Sequence, residues 1–301
     1  MAVVPVPYTP SHEPVEEFVE FNGAKFRTVS WNVPETITRK GKVIFVHGFA
    51  ESAPLYTEFF DNLNKAGYDV FFFDQRGAGE TSPDKLEGKT DEFHTFNDLD
   101  FFIKRNYDAR EDKTEKFFLG GHSMGGGIVL NYGIRGKYRD YIKGIFTSGP
   151  LIKLHPDTQP NVIVRTLSPV INALVPGLKI DSKLNYDYIT SNEKWKKYII
   201  DSNKKLIGTV RQFNDMFARG DDLNKKEIVA KFSPNIALLV LHGTGDHINW
   251  IKGTEDFIAL LPENVDKQFY PIEDARHSLF IEREGLVEDI REKVIAFLDK
   301  H

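Results

Sequence analysis

Residues 121–125 read Gly-His-Ser-Met-Gly, a G-x-S-x-G pattern directly after an apolar run (KFFL, 116–119) and directly before a helical one (123–135). A sharp strand-to-helix turn of this kind exposes the hydroxyl of Ser123, and side chains at the two flanking positions would clash. The N-terminus of the helix then faces negative charge developing at an attacked carbonyl. A serine hydroxyl is a weak nucleophile until a base takes its proton, and the base needs a carboxylate to fix its tautomer. Asp246 follows the apolar run 236–241 (IALLVL), and His277 follows the last strand-like run, 267–271 (KQFYP). Asp274 is the competing acid, but it stands too near His277 in sequence to occupy a separate strand's loop. Among nine histidines, His47 and His242 belong to His-Gly pairs where a ring would bond backbone, and His122 adjoins the serine and should point elsewhere. His12 and His301 are near the termini, His94 and His155 have no partner signal, and His247 neighbours the wanted aspartate. The oxyanion needs two backbone N–H groups, which we assign to Met124, after the serine, and to Phe49 in the small-residue loop of FVHGFAE (45–51).

The surrounding elements read as a scaffold for such a site. Six largely apolar runs, 42–47, 68–73, 116–119, 142–147, 236–241 and 267–271, suit strands buried on both faces of a parallel sheet. Two alternating segments, 16–21 and 26–32, flank Asn22-Gly23 and predict an antiparallel hairpin. Helical periodicity marks residues 55–66, 96–107 and 123–135, and apolar residues from Leu286 to Leu298 form a closing amphipathic stripe. The expected fold class is therefore α/β, a mostly parallel eight-stranded sheet with helices on both faces. Residues 1–14 read as an extended arm, 15–150 and 233–301 as the core, and 151–232 as an inserted helical cap over the carboxyl ends of the strands, where open α/β sheets bind ligands. Within the insertion, 161–177 carries an apolar helical stripe with little charge beyond Arg165. It suits either ordinary packing on the core or a lid facing an acyl tunnel or a lipid surface.

Composition narrows the chemistry. Zero cysteines among 301 residues remove disulfides, thiolate metal sites and thiol nucleophiles. The net charge of −5 offers no footprint for nucleic acid. Phosphate-binding and metal-ligand motifs such as H-E-x-x-H are absent, so neither cofactor nor metal is expected. No apolar run is long enough to span a bilayer, and the first residues lack a signal-peptide pattern, which predicts a cytoplasmic protein. The 24 phenylalanines are concentrated in the strand-like runs and near the functional loops, as expected of sheet core.

The segments HGFAE, DQRGAGETS, GHSMGGG, SGPLI, HGTGD and ARHS, in this order, resemble the monoacylglycerol lipase family of α/β-hydrolases, and most of all its fungal monoglyceride lipases. The resemblance runs from about residue 16 onward. It implies the α/β-hydrolase fold and hydrolysis of monoacylglycerols to glycerol and fatty acid. Ser123 would be the nucleophile, His277 the base, Asp246 its orienter, and Phe49 and Met124 the oxyanion donors. Glu51 and His122 would lie near the glycerol end. Peripheral contact with lipid droplets or membranes through the cap also follows as an expectation. Two positions depart from the animal members, which have a cysteine where Asn249 stands and a second histidine where Phe280 stands. Competing readings are a lysophospholipase or broad carboxylesterase with the same triad, and a hydrolase fold that binds ligand without turnover.

Overall fold

The computed structural model describes residues 4–159, 170–202 and 205–301. Eight strands form one sheet in the order β1-β2-β4-β3-β5-β6-β9-β10. They are β1 (Val15–Phe21), β2 (Ala24–Trp31), β3 (Gly41–Val46), β4 (Tyr68–Phe73), β5 (Phe117–His122), β6 (Ile142–Ser148), β9 (Ala237–Gly243) and β10 (Lys267–Ile272). Between β6 and β9, β7 (Lys179–Asp181) and β8 (Ile207–Thr209) make a separate antiparallel pair. The hairpin turns at Asn22 and Gly23, both with left-handed φ of 45° and 74°, the geometry a two-residue hairpin turn requires. β2 pairs antiparallel with β1 and with β4, and every later pairing in the large sheet is parallel.

The helices among the described residues include α1 (Thr57–Lys65), α2 (Glu92–Ala109), α3 (Met124–Arg135), α4 (Glu193–Asp201), α5 (Val210–Asp222), α6 (Lys226–Val229), α7 (Ile251–Leu260) and α8 (Leu286–Lys300). Because successive strand residues point to opposite faces, the sheet feeds two cores. Ile44, Val46, Phe71, Phe73, Leu238 and Val240 join Phe102 of α2, Ile128 of α3 and Phe257 of α7. Val43, Phe45, Val70, Phe72, Leu239 and Leu241 join Phe60 of α1 and Phe297 of α8 on the other side. Most of the phenylalanines sit in these two clusters, each burial contributing on the order of 2 kcal/mol. Two differences from the sequence reading have simple causes. The run at 267–271 is an edge strand paired only with β9, so Tyr270 remains 37% exposed. The insertion also holds a strand pair, too short to register as an alternating pattern.

Both ends of the segment between β6 and β9 pack on the core through Leu151, Ile152, Met216, Leu223 and Phe232, and Leu184 and Phe217 between them line a cavity together with Ser123. Of the expected helix at 161–177, residues 161–169 lie outside the described residues. Residues 170–174 are helical, with Val170 and Leu174 exposed.

Candidate active site

Ser123 stands between β5 and α3 with φ 55° and ψ −118°, a strained conformation for a residue with a side chain, costing about 1–3 kcal/mol. The surrounding packing enforces it. A Cβ at Gly121 would lie 2.6 Å from the Gly125 carbonyl oxygen, and one at Gly125 would lie 2.1 Å from that of Val46. Only glycine at these two positions lets the turn close against β3. Met124 is the first residue of α3, so its N–H has no acceptor within the helix. Phe49 lies in the loop after β3, its ring 5.1 Å from that of Phe213.

The structure brings the three residues of the expected triad together. Ser123 Oγ is 2.9 Å from His277 Nε2, and His277 Nδ1 is 2.7 Å from Asp246 Oδ2. All three are buried. Asp246 Oδ1 accepts from the N–H groups of Ile248 (2.8 Å) and Asn249 (2.9 Å), which fixes the carboxylate plane. Burial pushes the Asp246 carboxyl up, but the charge of His277 and hydrogen bonds from His242 and His277 outweigh it and hold the group well below the ordinary carboxylate range. Burial likewise pushes the His277 imidazolium down. The Asp246 charge and hydrogen bond, with a further pull from Glu51, outweigh this and raise its pKa above the ordinary histidine value. A hydroxyl, imidazole and carboxylate linked in this order can pass a proton from the oxygen to the ring and keep the resulting imidazolium stable.

Asp274 is exposed at a turn with φ 56°, and its N–H donates to Thr244 Oγ1 (2.9 Å) rather than serving His277. His47 bonds around its turn, Nδ1 to the Gly48 carbonyl at 2.7 Å and Nε2 to the Gln75 N–H at 2.8 Å. His242 does more than bond backbone. Its Nε2 meets the Asn249 carbonyl at 3.1 Å and Asp246 Oδ2 at 3.2 Å, and its Nδ1 lies 2.8 Å from Thr254 Oγ1. Nε2 is therefore the protonated nitrogen, shared between two acceptors, and Nδ1 accepts from the threonine.

His122 does not point away from the site, a correction to the sequence reading. Its ring centre is 4.8 Å from that of His277, with Nδ1 at 3.0 Å from the Ser148 carbonyl and Nε2 at 3.7 Å from Glu51 Oε1. Burial pushes its pKa down to about 4, so it is neutral and places no second positive charge beside His277. Glu51 lines the cavity above Ser123, and its Oε2 accepts from the Gly48 N–H (2.7 Å) and the Tyr56 hydroxyl. His122 sits behind Glu51 and is 1% exposed.

Sequence reasoning missed Glu282. This fully buried carboxylate accepts from the N–H groups of Arg276 (2.8 Å), Arg283 (2.8 Å) and Ser191 (3.2 Å) and from the Ser191 hydroxyl. It ties the loop bearing His277 to the inserted segment. The tie continues as Ser278 N–H donates to the Ile189 carbonyl at 2.7 Å. No local signal marks Glu282, because Ser191 is 91 positions away.

A cavity of about 590 Å³ opens above Ser123 and His277, within the range of small-molecule sites. The core contributes Leu55 and Ile281, and the inserted segment contributes Leu151, Leu184, Phe213 and Phe217.

The family model for serine aminopeptidase, S33 (Hydrolase_4) matches residues 38–284. The monoglyceride lipase of Saccharomyces cerevisiae is 37% identical over 99% of this chain and 98% of its own length. A putative monoglyceride lipase of Schizosaccharomyces pombe is 33% identical over 86% of this chain and 68% of its own. The crystal structure of a soluble variant of the Saccharomyces cerevisiae monoglyceride lipase, in complex with a substrate analogue, superposes with a TM-score of 0.93 over 99% of both chains at 37% identity. By fold and by sequence along its whole length, the chain belongs to the monoglyceride lipases, within the serine aminopeptidase S33 family of α/β-hydrolases.

Proposed function

We propose that this chain hydrolyses monoacylglycerols to glycerol and free fatty acid, with Ser123, His277 and Asp246 as its catalytic triad. The observation that carries the reading is the hydrogen-bonded series Ser123, His277 and Asp246, whose first two members line a mostly apolar cavity. His277 Nε2 takes the Ser123 proton as Oγ bonds to the ester carbonyl carbon. The carbonyl oxygen becomes the oxyanion, held by the N–H groups of Phe49 and Met124. Collapse breaks the ester C–O bond, and the departing glycerol oxygen takes the proton from His277. Water, deprotonated by the same ring, then attacks the acyl-enzyme; the bond from the acyl carbon to Ser123 Oγ breaks, Oγ takes the proton back from His277, and the fatty acid leaves. Residues 151–232 act as the cap whose inner face holds the acyl chain. Glu51 offers a carboxylate to glycerol hydroxyls and is held in place by the Gly48 N–H and the Tyr56 hydroxyl.

Turnover of monoacylglycerol, lysophospholipid and short nitrophenyl esters, compared side by side, tests the substrate class. Long-chain monoacylglycerol should give the highest kcat/KM, above lysophospholipid and short nitrophenyl esters, and a preference for lysophospholipid would overturn the assignment. Filling the cavity gives a sharper prediction. Phe217→Trp should lower kcat/KM for a long acyl chain by about ten-fold, the effect of roughly 1.4 kcal/mol of overpacking, and leave a short ester within about two-fold.

The pH profile follows from His277. The ring must be neutral to accept a proton, so kcat/KM falls as pH drops through its pKa. With that pKa raised, the acid limb should have its midpoint above pH 6.5, and a midpoint below 6 would contradict the stated environment of the ring.

No helix among the described residues is long and apolar enough to cross a membrane. Exposed Leu174 (75%), Val170 (56%) and Leu178 (53%) support peripheral contact between the cap and a lipid surface. Leu174→Asp combined with Leu178→Asp should abolish co-flotation with neutral liposomes while leaving turnover of a water-soluble ester intact. Unchanged flotation would remove this face from the account.

A further inference from the structure

Outside the catalytic centre, His155, Asp157 and His247 bring their ligand atoms within 4.8 Å of one another. We propose that these three side chains bind a borderline divalent cation, Zn²⁺ foremost, at the junction of the inserted segment and the loop of Asp246. The ligands are 90 positions apart across the junction, which is why no short metal motif announces them. The backbone holds them in place. His155 N–H donates to the Ile248 carbonyl at 2.9 Å, Trp250 N–H donates to the Lys153 carbonyl at 2.8 Å, and Leu154 bridges Asn249. Tyr188 stacks on the His247 ring with centres 5.0 Å apart, which limits rotation of that ligand.

The donor geometry suits a metal. His247 Nδ1 is 2.7 Å from Asp157 Oδ2. His155 Nδ1 lies 3.4 Å from Asp157 Oδ2 and its lone pair takes the Asp157 N–H at 3.2 Å. A cation on Nδ1 would replace that single long hydrogen bond and be neutralised by the adjacent carboxylate oxygen. Around a tetrahedral zinc with bonds of about 2.0–2.1 Å, neighbouring donors stand roughly 3.3 Å apart, so the His155–Asp157 pair is already spaced, the His247–Asp157 pair must open by about half an ångström, and the two imidazoles, whose donors lie within 4.8 Å, must draw together by side-chain rotation. Two imidazoles and one carboxylate match the three-ligand zinc pattern with a water in the fourth place. They disfavour Mg²⁺ and Ca²⁺, which take oxygen ligands. The site is open to solvent, with 45% and 46% of the Asp157 and His247 side chains exposed.

Occupancy would clamp the chain entering the cap to the residue after Asp246. The consequence is stabilisation by the bound ion, through its affinity for the folded state alone. The test is calorimetric titration of the metal-free full chain with ZnCl₂, paired with thermal unfolding. The expected result is one Zn²⁺ per chain and a rise in Tm, both lost in His155→Ala combined with His247→Ala. Asp157→Asn should weaken the affinity by at least about ten-fold. Mg²⁺ and Ca²⁺ should give no binding. In chelator the variants should retain ester hydrolysis within about two-fold and unfold cooperatively, which separates this site from the triad and excludes misfolding. Absence of Zn²⁺ binding to the wild type, or binding that survives the double substitution, would overturn the proposal.

Discussion

Replacing Ser123 by alanine should lower kcat/KM for monoacylglycerol by about 10⁵- to 10⁶-fold, with residual turnover owed to the oxyanion donors and binding alone. The loss should fall on kcat, because the hydroxyl forms its bond only along the reaction path while the apolar cavity that binds the acyl chain is untouched. Stability should hold or rise slightly. Ser123 keeps φ at 55°, and alanine in the same strained turn loses one hydrogen bond to His277 but no packing. Single-turnover kinetics on the purified variant, with thermal unfolding as the control for folding, measures both halves. A loss below about 100-fold would mean that another group carries the acyl transfer.

Asp246→Asn should cost about 10⁴-fold in kcat, the size seen when a triad carboxylate becomes an amide. The substitution is nearly isosteric, and the Ile248 and Asn249 N–H groups that bond Oδ1 would still find a carbonyl oxygen there. The second oxygen is the one that matters. Oδ2 faces both His277 Nδ1 at 2.7 Å and His242 Nε2 at 3.2 Å. An amide NH₂ turned toward them meets one N–H donor and forces His277 into the tautomer that presents N–H, rather than a lone pair, to Ser123. KM should change by less than about three-fold, since Asp246 is buried behind His277. Steady-state kinetics across pH would also show the acid limb moving down, because burial then acts on the His277 ring without the opposing charge.

The chemistry-bearing residues of this chain are legible because they obey local rules. The two glycines beside Ser123 report a turn that only they can close, and the apolar runs before Ser123 and Asp246 mark strands whose carboxyl ends must present a loop. The order of serine, acid and histidine then leaves few choices. What stays hidden is whatever depends on contact between distant segments. Glu282 looks like any surface glutamate until its partners at Ser191 and Arg276 fold around it. His122 should turn away by the logic of its neighbour, but the Ser148 carbonyl and the Ser278 hydroxyl give its two nitrogens a place beside His277. The strand pair Lys179–Asp181 with Ile207–Thr209 is three residues on each side, below the length at which alternation can be read. The edge position of Lys267–Ile272 is a property of sheet order, which no run of six residues encodes.

Ser123 is the proposed acyl-accepting nucleophile, and covalent trapping reads that role out at the residue itself. Incubation with a long-chain alkyl fluorophosphonate followed by intact-mass and peptide-mapping spectrometry should show one adduct per chain, located on Ser123, formed in step with complete loss of monoacylglycerol hydrolysis. An adduct on any other residue, or full labelling of Ser123 with hydrolysis undiminished, would contradict it.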